Sequence, residues 1–270
     1  MPVVNLNARS ESYAGFKTRW GADHYIFTAQ GTDLDHSLKA EEIDGSGFGT
    51  RFKNNLPGMI DGTLKMSGLA AMKAGKVSWV FNQWLGRTSD VNVWYVTEGF
   101  DALSPIAMQP SSLMEASVKA KMKDSVTFDA SFSARGASNP VGVILLTPKT
   151  SNVLTAATGA SNVDDNEAFG GATTFGGAAQ LHVYAVDGGT APTVAVKIQH
   201  SADDGATWLD VAGGGFTTVT ATNLATWSQR LEIGSSVTIN SQVQAMWTTT
   251  GTPTAVQVLC GFARNYDPDA

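Results

Sequence analysis

A mainly β protein is what this chain of 270 residues predicts: a β-sandwich or barrel with one flanking α-helix, followed by a small all-β, Ig-like sandwich. Three observations carry that expectation. Apolar and polar side chains alternate residue by residue in many segments, the period of strands with one buried face. A single segment shows a helical period instead. The composition also changes near residue 150: residues 1–150 carry 15 Lys/Arg and 14 Asp/Glu, whereas residues 151–270 carry 3 and 10 and are rich in Thr, Gly, Ala and Val. That change predicts a first domain over 1–150, a linker over 151–166 and a second domain over 167–270. The stretch 147–167 is small, polar and without periodicity, as a linker should be.

Taken in order, the chain opens on an arm (1–20) with no clear period, then a short strand at 24–30 ended by Gly31. TDLDHS (32–37) reads as a polar turn. Leu38 to Pro57 reads as a long loop, with Gly45, Gly47 and Gly49 around Phe48 and mixed charge that includes Arg51. Loops of this length inside a compact domain are usually functional or interfacial. A turn at Asp61-Gly62 is expected to launch a strand in which Leu64 and Met66 alternate with Thr63, Lys65 and Ser67. Val77, Val80, Phe81 and Trp84 then fall at i, i+3, i+4 and i+7, and Gly86 supplies a stop, which predicts a core-facing helix. After NVWYVTE (92–98) comes the clearest pattern, a hairpin over 117–136. Val118, Ala120 and Met122 alternate with Ser117, Lys119, Lys121 and Lys123. Beyond a turn at Asp124-Ser125, Val126, Phe128, Ala130, Phe132 and Ala134 alternate with Thr127, Asp129, Ser131, Ser133 and Arg135. Each strand therefore has one apolar and one wholly polar face.

The second part is strands and turns throughout. Strand signals recur every 10–20 residues with Gly or Asp-Gly punctuation, which argues a small β-sandwich with Trp208, Trp227 and Trp247 as core anchors.

Composition narrows the function. The net charge of −6 opposes tight nucleic-acid binding. No apolar run reaches the roughly 20 residues of a membrane helix, and the N-terminus lacks a signal peptide's order, so neither membrane nor export by that route is expected. One cysteine, Cys260, excludes a disulfide framework and a CxxC zinc site, and in VQVLCGF it reads as a small buried hydrophobe. His24, His36, His182 and His200 sit in no metal-binding spacing. Asp33, Asp35 and His36 are the one candidate cation cluster, and no cofactor is expected. GSGFG (45–49) lacks the following helix and Lys-Ser pair of a phosphate loop. SADDGATW (201–208) fits the S-x-D-x-G-x-T-W Asp box, which resembles a turn of sialidase-type propellers. It occurs once, and Arg230 and Arg264 are too few for that family's arginine cluster, so it reads as a hairpin turn.

The ordered combination of TDLDHSLKAEEID, the glycine-rich loop, FGTRFKNNLPGMIDGTLKMSG, the single helix in AMKAGKVSWVFNQWLG and the hairpin ending VTFDASFSARG resembles the major tail tube protein of long-tailed bacteriophages. The resembling run, 31–136, covers about two fifths of the chain. The part around VKIQHSADDGATWLDV resembles an additional C-terminal domain of some actinobacterial phage tail proteins. The resemblance implies a non-catalytic virion protein of tail-tube-type fold, made in the host cytoplasm. It implies self-assembly into hexameric rings that stack helically, with the tape-measure protein, tail terminator and tail-tip proteins as partners. Genomic DNA would pass without specific binding. It places Lys119, Lys121, Lys123, Thr127, Asp129, Ser131 and Ser133 on the lumen. Gly45, Gly47, Phe48, Gly49, Arg51 and Phe52 fall on a loop at 40–58 that reaches the next ring, with Phe48 or Phe52 as anchor. The C-terminal sandwich would project outward, which favours a non-contractile tail. The rival readings are a carbohydrate- or surface-binding tail-tip or capsid decoration protein and, from the Asp box alone, a glycan hydrolase.

Overall fold

The computed structural model describes residues 13–18, 25–26, 31–44, 55–70, 81, 85, 91–96, 101–120, 125–134, 141–147, 154, 157–161, 163, 171–220 and 228–265. The described strands are, in chain order, β1 (Tyr13–Thr18), β2 (Tyr25–Ile26), β3 (Gly31–Asp44), β4 (Asn55–Leu69), β5 (Val91–Val96), β6 (Pro105–Lys119), β7 (Thr127–Ala134) and β8 (Val141–Leu146). They continue with β9 (Thr158–Ala160), β10 (Gly177–Asp187), β11 (Thr193–Ser201), β12 (Leu209–Gly215), β13 (Val219–Thr220), β14 (Ser228–Ile233), β15 (Gln242–Thr250) and β16 (Ala255–Arg264). The protein is nearly all β. It divides into two compact units. The first comprises Met1–Thr28, Asp90–Pro110 and Gly136–Ala270, and the second Ala29–Ser89 and Ser111–Arg135.

The first unit holds a two-sheet sandwich. One sheet carries the order β14-β10-β16-β8, and the other β12-β11-β15-β9 with β13 also on β11. Alternate residues of the two sheets meet in one core: Leu181, Val183, Val258 and Phe262 from the first, Val194, Val196, Ile198, Val243 and Ala245 from the second. This is the sandwich that the spacing of strand signals predicts. Of the expected tryptophan anchors, Trp247 packs partly buried against this core and Trp208 is half-buried at a turn. Trp227 lies outside the described residues. Strands from either side of the expected linker share a ladder, with Gly261 of β16 opposite Ile144 of β8. Within 151–166, β9 pairs with β15, and the Leu154 N–H donates to the Val256 carbonyl at 3.0 Å.

In the second unit β3, β4 and β7 form an antiparallel meander, closed by the part of β6 beyond Pro110 in the order β3-β4-β7-β6. Four sequence expectations are corrected. The loop is shorter than 38–57, because β3 continues to Asp44 and β4 begins at Asn55, with Ile43 opposite Leu56. No turn interrupts Asp61-Gly62: the residues lie inside β4, opposite Lys39 and Leu38. TDLDHS is strand, and the first arm contains β1, which pairs with β5 from Tyr13↔Val96 to Thr18↔Val91. The expected helix falls mostly outside the described residues. Its Phe81 is helical and buried, and its carbonyl accepts the Leu85 N–H at 3.0 Å.

Candidate functional site

Strand register sorts the second unit into two faces. On one, cross-strand rows run His36–Leu64–Phe132–Leu113 and Leu34–Met66–Ala130–Ala116, followed by Gly68–Phe128–Val118. Leu64, Met66, Leu113, Phe128 and Phe132 are buried there. Phe81 seals this face, its ring centroid 5.4 Å from Phe128 and 5.8 Å from Phe132. Tilted contacts at these distances are favourable aromatic geometry.

The other face is hydrophilic. Its rows run Ser37–Thr63–Ser133–Ser112, Asp35–Lys65–Ser131–Glu115 and Asp33–Ser67–Asp129–Ser117, with Thr127 opposite Lys119 at the end. A groove of about 580 Å³ runs over it, lined by four carboxylates (Asp33, Asp35, Glu115, Asp129) and two ammonium groups (Lys65, Lys119). The lining is therefore net acidic by two formal charges. Lys119 Nζ lies 2.5 Å from Asp129 Oδ2. That hydrogen bond, the Asp129 charge and the Glu115 charge raise the lysine's pKa above its ordinary value.

The structure thus brings Lys119, Thr127, Asp129, Ser131 and Ser133 together on one face. Lys121 and Lys123 lie outside the described residues, as do Gly45, Gly47, Phe48, Gly49, Arg51 and Phe52 in the segment joining β3 to β4. The sequence points to Asp33 and Asp35 as a cation cluster with His36 and does not place them, Lys65 or Glu115 on this face. The signal was present for β3: Asp33 and Asp35 alternate with Leu34 and His36, a strand period hidden by turn-forming residue types. That alternation also sends His36 to the face opposite the two aspartates, which breaks up the candidate cation cluster. Among the described residues no three His, Cys, Asp or Glu side chains group to hold a metal.

The remaining candidates are structural. Burial pushes the Cys260 thiol pKa well up, and His182 is buried with its Nε2 2.6 Å from Gln180 Nε2. Arg230 donates to Glu232 at 2.6 Å and to the Met108 carbonyl at 3.1 Å, and Arg264 donates to the Ser241 carbonyl at 2.8 Å. Both guanidinium groups are engaged within the fold. In the Asp-box turn, Ser201 Oγ donates to Asp203 Oδ1 at 2.6 Å and accepts the Gly205 N–H at 3.0 Å. Asp203 Oδ1 also accepts the Thr207 N–H at 2.8 Å. Led by the Ser201 bond, these donors lower the Asp203 pKa from 3.8 to about 2. Gly205 sits at φ +81°, and a side chain there would come within 3.5 Å of the Trp208 ring that covers it. This is a self-capped turn, as the sequence predicts.

No family model matches the chain, and no curated protein matches it. Similar solved structures include the tail of an empty gene transfer agent particle with C6 symmetry (12% identity, TM-score 0.38, 48% of this chain and 95% of the other). The SPP1 tail tube is similar at 9% identity and TM-score 0.38, over 48% of this chain and 76% of the other. The SPP1 Dit protein, described as a hub adsorption apparatus in phages infecting Gram-positive hosts, is similar at 10% identity and TM-score 0.34, over 94% and 99%. Likeness at this level carries no functional argument, and the function proposed for this chain rests on its own faces and edges.

Proposed function

We propose that the chain is a structural virion protein that polymerises into stacked hexameric rings, forming a phage tail tube through which DNA is ejected. One observation carries the reading. The second unit is a meander with one sealed face and one hydrophilic face, and among the described pairings it ends on β3, a 14-residue strand paired with β4 alone. A long edge of unpaired N–H and C=O groups is a template for another strand. Joined to the same sheet of a neighbour, it makes a heterologous contact that closes into a ring when the rotation closes. Closure of such sheets into a barrel turns one face inward. The hydrophilic face suits a water-filled bore, and its net acidic lining repels a polyanion in transit.

In this reading Lys119, Lys121, Lys123, Thr127, Asp129, Ser131 and Ser133 face the bore, and the residues at 45–52 touch the adjacent ring. The segment 167–270 decorates the assembly, with its β16 paired to β8 of the segment 1–150. The tape-measure, terminator and tail-tip proteins are partners, the protein resides in the virion tail, and no catalysis is assigned. Negative-stain microscopy and sedimentation of concentrated protein test the proposal. Open-ended tubes are expected. A monomer or closed trimer under all conditions, virion extracts included, overturns it in favour of a surface-binding decoration protein, and turnover of a glycan favours a hydrolase.

A further inference from the structure

One end of the sandwich is closed by the segment 234–241, a strap that joins β14 to β15. Ile239 of the strap is 0% exposed and belongs to the sandwich core, with Val237 packed partly buried against it. Backbone and guanidinium bonds hold the strap to the first sheet. Thr173 and Ile239 exchange bonds of 2.8 Å, the Gly176 N–H donates to the Val237 carbonyl at 3.0 Å, and Arg264 Nη2 donates to the Ser241 carbonyl at 2.8 Å. Thr173 and Gly176 lead into β10, and Arg264 ends β16. The tie to β11 of the second sheet is of another kind: the Asn240 N–H donates to His200 Nδ1 at 3.1 Å.

A backbone N–H can only donate, so this bond needs the neutral imidazole with its proton on Nε2. A second proton goes to Nδ1 and sets two donors face to face. The bond is lost and the Asn240 N–H is left without its acceptor. No carboxylate faces the ring to favour the charged form. β12 sets Leu209 opposite His200, and β15 sets Val243 there. The strap has no ionisable side chain. In the shared core only Cys260 ionises, and burial keeps it the neutral thiol. Arg264 is bonded to the strap itself, and Asp203 of the turn after β11 is taken up by Ser201 and Thr207. Lys197 and Asp210 bond each other at 2.8 Å, and the odd-numbered Lys197 lies on the face of β11 opposite to His200. We infer that His200 is an acid-operated clasp, whose protonation frees the Asn240 end of the strap from β11 and opens the sandwich core at Ile239 while both sheets stay paired. Burial lowers the His200 pKa from its ordinary 6.5. The clasp's contribution is therefore complete above that value, and it is lost as the pH falls from there through the lower folded value. The inference concerns the sandwich alone and does not rest on the assembly proposed above.

Hydrogen exchange of the full-length protein, read by mass spectrometry from about pH 8 to about pH 5 and corrected for its intrinsic pH dependence, tests the clasp. Exchange at the imidazole Cε1–H gives the His200 midpoint in the same samples. Protection over 237–241 should fall about tenfold with that midpoint, while 194–198 of β11 stays protected. His200→Asn keeps an oxygen acceptor near the Nδ1 position and cannot titrate, so its strap should stay protected throughout. Strap protection that does not follow the His200 midpoint overturns the inference. So does an equal loss in β11, which would mean acid unfolding of the whole sandwich, or an acid response that persists in His200→Asn.

Discussion

Phe128→Ala separates the two faces of the meander energetically. The Phe128 side chain is 0% exposed, and its ring lies 5.4 Å from that of Phe81, itself 1% exposed. Truncating a buried phenylalanine costs about 3–5 kcal/mol in lost transfer energy and cavity formation. Loss of the ring pair puts this site toward the upper end. A domain's whole stability is roughly 5–15 kcal/mol, so about 4 kcal/mol is a third of it or more. At an m-value of about 2 kcal/mol/M, the urea midpoint of the transition reporting on this unit falls by about 2 M. The control is Ser131→Ala, in the hydrophilic row between Lys65 and Glu115, where the cost should stay within about 0.5 kcal/mol. Equal losses at Phe128 and Ser131 refute the face assignment. They would also refute the argument that the hydrophilic face is free to line a bore.

Other outcomes follow from single sites. Asp203 should titrate near 2 by NMR, and Ser201→Ala should raise that value. Because the folded pKa is depressed, the stability it contributes is complete above about 3.8 and lost as the pH falls through about 2. Thr252 is exposed at φ 49°, a backbone region hostile to β-branched residues, so Thr252→Gly should stabilise the turn by about 1 kcal/mol in thermal unfolding. Its neighbour Gly251, at φ 72°, should give the opposite sign on Gly251→Ala, because a Cβ would collide with the Thr190 carbonyl oxygen. Phe48→Ala should spare the subunit's melting and weaken tube formation by sedimentation; a destabilised subunit whose folded fraction assembles normally places Phe48 in a core. Truncation after Lys149 removes β16 from beside β8 and bares the Val143–Leu146 edge, so the fragment should aggregate. A soluble, tube-forming fragment would favour the division at 150.

Strands were legible where burial is strictly one-sided. Phe128, Ala130 and Phe132 are buried and Thr127, Asp129 and Ser131 are not, so β7 announces itself by alternation. β11 does the same with Val194, Val196 and Ile198. β3 did not, because its solvent-exposed positions carry Asp and Ser, the residues that also make turns. Asp61-Gly62 in β4 misleads for a related reason. That dipeptide is a strong turn signal in isolation, but Gly62 is buried on the sealed face and Asp61 lies opposite Lys39 in the ladder. The candidate site was half visible: its β7 row and Lys119 come from one local hairpin. Asp33, Asp35 and Lys65 reach the same groove through pairings that no local window contains.

The change of composition at residue 150 and the course of the ladders follow different physics. Lysine nearly vanishes after that point and the net charge turns acidic, which are properties of the surface. Hydrogen-bonded pairing responds to the backbone, and it runs straight across: Val143 and Ile144 of β8 meet Phe262 and Gly261 of β16. Val143, Leu145 and Leu146 share one core with Val258 and Phe262. The second unit, in contrast, draws its sealed face from Leu64, Met66, Leu113, Phe128 and Phe132, all within 29–89 and 111–135. Among the described residues Phe81, also of this unit, covers that face. In the proposed assembly a neighbouring subunit would read the β3 edge, which among the described strands pairs with β4 alone, and the acidic groove, both carried by this unit. If the proposed assembly holds, surface substitutions on β3, β6 and β7 should alter it without touching the sandwich core of the other unit.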